Sequence, residues 1–96
     1  MAKFSLGMLC ATAGVAEQMR QDRDFHAFVW ECLSRYREGD WGDMPASDKR
    51  ANDDAVACGD ARIFASYERP GHSSQNIWII TEADRSSTTV LFPDEY

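Results

Sequence analysis

The sequence predicts an α+β fold, with three helical segments followed by a three-stranded antiparallel meander and an optional strand ahead of the helices. Two observations carry this. Apolar residues recur at i, i+3, i+4 and i+7 in the first half of the chain and at a period of two after residue 61. Turn-forming residues then divide the second half into runs of strand length. The 96 residues fit a single domain, 1–96. Hydrophobic residues at 44% and charged residues at 27% give an ordinary globular balance.

Residues 3–10 alternate weakly, with Phe4, Leu6 and Met8 to one side, and form the optional strand. Thr12 suits the N-cap of a short helix marked by Val15, Ala16 and Met19 and running to about Arg20. Asp24 is read as the cap of the strongest helix, 25–37. Its apolar positions Phe25, Phe28, Val29, Cys32, Leu33 and Tyr36 share one face, and Gly39 ends it. The GDWGD turn at 39–43 presents or tucks in Trp41. Pro45 opens a third helix to about Cys58, stopped by Gly59, with a thin apolar edge of Met44, Ala51, Ala55 and Val56.

The strand 61–68 places Ile63, Ala65 and Tyr67 on one face. RPGHSSQN is read as a loop, and NIWIITE, the most hydrophobic run, as the central strand. ADRSS turns the chain into TTVLFP, which Pro93 stops. The second helix is expected on the apolar sheet face.

The net charge of −6 is unevenly placed: residues 1–37 balance at +1, 38–60 at −5 and 61–96 at −2. An acidic chain repels phosphate backbones, which disfavours direct nucleic-acid binding. An acidic stripe instead suits a protein partner with a basic surface. Trp41 with Asp40, Asp43, Asp48, Asp53 and Asp54 forms the predicted contact face, a large anchor ringed by carboxylates. Trp30 and Trp78 lie off the apolar stripes, and one of them is expected to be partly exposed if helices cover a single sheet face. Cys10, Cys32 and Cys58 show neither CxxC spacing nor pairing, so neither a metal site nor a disulfide is expected. Cys32 falls on a helix stripe and reads as core. No signal segment or membrane span is evident, which predicts a cytoplasmic protein.

No catalytic set or cofactor motif stands out. His26 and His72 have no local partner that would make either a general base. Asp84 and the serines after it read as turn stabilisers, with Arg85 pairing across the turn. Glu82, Asp84, Asp94 and Glu95 lack the ligand spacing of a calcium loop. An enzymatic alternative, a small ribonuclease, would use Arg62, Tyr67, His72, Glu82, Arg85 and Thr88. A homodimer joined through the sheet edge is a third reading.

GDWGD with DKRAND just after it, ARIFASYE, and IWIITEADRSSTTVLFPDEY together resemble a family of small proteins of plasmids, phages and bacterial mobile elements. The likeness covers about the last 60 residues well and the first 37 loosely. GHSSQN and the QDRDFH lead-in to the second helix depart from the pattern. The resemblance implies a setting in which small acidic proteins inhibit host defences such as CRISPR–Cas or restriction complexes by binding them. The expectation is therefore a non-enzymatic, acidic protein-binding module.

Overall fold

The computed structural model describes residues 3–59, 61–72 and 75–96. The element order is β1 (Met8–Ala11), α1 (Ala13–Gln21), α2 (Arg23–Arg37), α3 (Ala46–Cys58), β2 (Ile63–Tyr67), β3 (Ile77–Thr81) and β4 (Ser87–Leu91), closed by a 3-10 turn at Pro93–Glu95. The α+β class is as the periodicities predict. The sheet, however, is mixed rather than a purely antiparallel meander of three strands. Its order is β1-β4-β3-β2, with β1 parallel to β4 and the other two pairings antiparallel. The N-terminal strand is thus part of the sheet, but it starts at Met8 rather than Lys3. No local pattern could give this pairing, since Met8 meets Ser87 across most of the chain.

Thr12 caps α1 as expected, its hydroxyl accepting from the Val15 N–H at 3.3 Å. The cap of α2 is Asp22, not Asp24. One oxygen of Asp22 accepts from the N–H groups of Asp24 (3.0 Å) and Phe25 (3.1 Å), so the helix starts two residues earlier and Asp24 falls in its first turn. There it still complements the helix dipole. Pro45 precedes α3 and Gly59 ends it in the left-handed region, φ 72°.

The core lies between α2 and one face of the sheet. Phe25, Val29, Cys32, Leu33 and Tyr36 from α2 are buried against Ile63, Ala65 and Tyr67 of β2, Ile77 and Ile79 of β3, and Val90 of β4. Phe28 packs at its border. Burying side chains of this size stabilises the fold by about 1.5–3 kcal/mol each. Through this core runs a chain of hydroxyls. Tyr36 Oη lies 2.8 Å from Thr81 Oγ1, Thr81 Oγ1 lies 2.7 Å from Thr88 Oγ1, and Thr88 donates to the Leu6 carbonyl at 2.7 Å. Every buried side-chain polar atom among the described residues has a partner. Burial raises the Tyr36 hydroxyl above the usual phenol range.

The thin apolar edge expected of α3 is only partly right. Ala55 is buried and Val56 half-buried, but Ala51 is exposed and the buried residue beside it is polar Asn52.

Candidate functional surface

The GDWGD turn and α3 were the expected contact face, and both sit against the outer edge of β2. An edge strand leaves every second residue's backbone N–H and C=O unpaired. Here those groups are met one after another. The Asn52 side-chain amide donates to the Phe64 carbonyl (2.6 Å) and accepts from the Phe64 N–H (3.3 Å), standing in for a neighbouring strand. The Asp43 N–H donates to the Ser66 carbonyl (2.7 Å), and an Asp43 carboxylate oxygen accepts from the Glu68 N–H (2.9 Å). Gly42 bridges to Ser66 at φ 75°, and a Cβ there would lie 2.3 Å from the Ser66 oxygen. Only glycine fits so close an approach.

Trp41 is not the exposed anchor that the sequence suggested. It is 3% exposed, stacked edge-on to Tyr36 with ring centres 5.4 Å apart, and its indole N–H donates to Asp53 Oδ1 at 2.9 Å. A ring of that size flanked by Gly and Asp is pulled inward once its single donor finds an acceptor. The five aspartates are all exposed, yet three also hold local structure. Asp40 forms a two-pronged pair with Arg35 (2.8 and 3.2 Å) and accepts from the Gly42 N–H. The Arg35 guanidinium holds the Asp40 carboxyl below the usual carboxylate range. Asp43 and Asp53 make the bonds just described. Asp48 and Asp54 make no side-chain hydrogen bond or ion pair among the described residues, and both point their charge into solvent. Asp60, the seventh acid of the segment, lies outside the described residues.

Of the residues of the ribonuclease alternative, Arg62 and Arg85 both approach Glu82, whereas Tyr67 and Thr88 are committed to internal hydrogen bonds. Tyr67 is buried and donates to the Asp40 carbonyl at 2.6 Å. Thr88 belongs to the internal hydroxyl chain. Arg62 sits over the Tyr96 ring and 3.9 Å from Glu82. His72 lies in the exposed loop after Pro70. Arg85 does not pair with a carboxylate across its turn. Its guanidinium donates to the carbonyls of Ala61 (2.7 Å), Ala83 (3.1 Å), Glu82 (3.2 Å) and Ala55 (2.9 Å), capping the last turn of α3 from a distance. Asp84 stabilises the turn as expected, accepting from the Ser86 N–H.

His26 is exposed, and its Nε2 accepts from the Trp30 indole at 3.3 Å. Among the described residues, no three His, Cys, Asp or Glu side chains gather as metal ligands. Cys32 is buried, which pushes its thiol up to about 12. The described helices include none long and apolar enough to cross a membrane.

A second surface lies at the opposite sheet edge and includes Trp30, whose partial exposure the sequence offered as one of two outcomes. Met8 (70%), Leu9 (42%) and Trp30 (48%) are the exposed apolar side chains there. Trp78, by contrast, is half-buried between Phe64 and Tyr96. The signal in the sequence was Trp30, one step off the α2 stripe, and the short run MLCA. No family model, curated protein or solved structure matches this chain.

Proposed function

We propose that this chain is a non-enzymatic protein-binding module that presents the carboxylates of residues 40–54 to a basic protein surface. The supporting observation is the state of Asp48 and Asp54: exposed, close in sequence and committed to no side-chain partner among the described residues. Asp40, Asp43 and Asp53 add negative potential on the same segment while their hydrogen bonds hold the turn rigid. An acidic segment already held by hydrogen bonds costs little ordering on binding, and its charge speeds encounter with a basic partner. The resemblance to mobile-element proteins suggests the partner class, a subunit of a CRISPR–Cas or restriction complex that otherwise holds nucleic acid.

Tagged protein expressed in a bacterium with both defence systems, followed by mass spectrometry of bound proteins, tests this. Stoichiometric recovery of a defence subunit at low salt, lost at moderate salt, is the expected result. The Asp48→Lys/Asp54→Lys variant leaves every internal hydrogen bond in place and should lose that subunit. Equal recovery by the variant, with unchanged salt dependence, would remove the acidic face from the account.

A further inference from the structure

We propose that two copies of this chain pair antiparallel through β1, joining their sheets across a two-fold axis at Cys10. The Met8 N–H donates to the Ser86 carbonyl (3.0 Å) and the Thr12 N–H to the Val90 carbonyl (3.1 Å). Met8 and Cys10 therefore spend their backbone groups on β4, and Thr12 its N–H. Strand alternation turns the N–H and C=O of Leu9 and Ala11 outward, where no described strand lies. The β2 edge is sealed by Asn52 and Asp43, whereas the β1 edge is open.

The open edge is self-complementary. Setting Leu9 opposite Ala11 of the second copy, and Ala11 opposite its Leu9, makes two hydrogen-bonded pairs that use all four outward groups. Centring the axis on Leu9 or Ala11 uses fewer. On the helix side, Leu9 lies in register with buried Thr88. There, clefts of about 460 and 260 Å³ share Leu9, Trp30 and Leu33 as lining, and each copy offers its Trp30 and Leu9 to the other.

Charge favours a second copy as the occupant. The four residues of β1 carry no charged side chain, and the acidic segment 38–60 packs at the β2 edge. Two copies thus meet without opposing that segment's carboxylates, and an uncharged strand offers no attraction to a strongly basic or acidic strand. A four-residue strand with three exposed side chains falls at the small end of interfaces, below about 1,200 Å² in total. The dimer is accordingly concentration-dependent.

This register puts Cys10 opposite its mate as a non-hydrogen-bonded pair, Cα atoms about 4.5 Å apart and within disulfide reach. Sedimentation of the full chain from about 1 µM to 1 mM, a range bracketing weak association, should show a reversible dimer whose affinity changes little with salt. Oxidation by copper–phenanthroline and oxygen should cross-link the wild type and Cys58→Ser, but not Cys10→Ser. Ala11→Pro removes an outward N–H and no β1–β4 bond, and Leu9→Lys adds charge to the edge. Each should weaken the dimer at least about tenfold, more than 1.4 kcal/mol, with thermal stability near that of the wild type. If Ala11→Pro fails to fold, Leu9→Lys decides alone. A monomer at every concentration would overturn the proposal, as would a dimer that withstands Leu9→Lys or links through Cys58. Neither outcome touches the acidic-face reading, whose test uses Asp48 and Asp54.

Discussion

Replacing Asn52 with alanine removes the side chain that stands in for a strand on the β2 edge. Two hydrogen bonds to Phe64 are lost, at 2.6 and 3.3 Å, and each contributes about 0.5–1.5 kcal/mol net. Alanine returns roughly 0.5 kcal/mol through its better helix propensity. The balance is a loss of about 0.5–2.5 kcal/mol. For a domain of this length each kcal/mol moves the melting temperature by about 4–8 °C, so a drop of roughly 2–20 °C is expected. Thermal and urea melts followed by circular dichroism measure it. Asp54→Ala, at an exposed neighbouring position with no side-chain partner among the described residues, serves as the reference and should change stability by less than about 0.5 kcal/mol.

Asn52→Asp refines the argument, because a carboxylate still accepts from the Phe64 N–H but repels the Phe64 carbonyl. Its stability deficit should shrink as pH falls, since a protonated carboxyl can donate where the amide did. An Asn52→Ala variant as stable as Asp54→Ala would refute the claim that this amide closes the edge.

Two further outcomes follow from the same geometry. Gly42→Ala should cost about 2–4 kcal/mol, combining left-handed strain with the clash against Ser66. Gly59→Ala, at φ 72° with no atom within 4 Å of its Cβ, should cost only the strain, about 1–2 kcal/mol, and equal losses in calorimetry would discount the contact. Asp22 is held below its usual value of 3.8, first by the Phe25 N–H and then by Arg69. Its contribution is complete above pH 3.8 and fades as pH falls through the lower folded value. Asp22→Asn should therefore flatten the acid limb of stability against pH, and an unchanged slope in urea melts would assign that limb to other carboxyls.

The α2 stripe was legible because a single face of that helix meets the sheet, and five of its six apolar residues are buried outright. The alternation of Ile63, Ala65 and Tyr67 was legible for the same reason. What escaped were partnerships between residues far apart in the chain. Nothing near Met8 announces Ser87, and nothing in α3 marks Asn52 as the partner of Phe64. Trp41 shows the same limit from the other side. Its neighbours Asp40, Gly42 and Asp43 gave a turn, but the acceptor that draws the ring inward is Asp53 on α3. Asp22 and Asp24 both suit an N-cap, and Asp22, with its extended backbone, is the one that takes it.

The two sheet edges have opposite chemistry, and the difference governs how the chain can associate. A four-stranded sheet with both edges open would add copies at each end and grow without limit, because pairing at one edge leaves the other exposed. Here α3 and the GDWGD turn occupy one edge, which confines any strand pairing to β1 and closes it at two copies. The same segment carries the excess of carboxylates, so pairing at β1 leaves two acidic faces outside the contact. Asp40, Asp43 and Asp53 thus hold the turn that seals β2 while keeping negative charge in solvent.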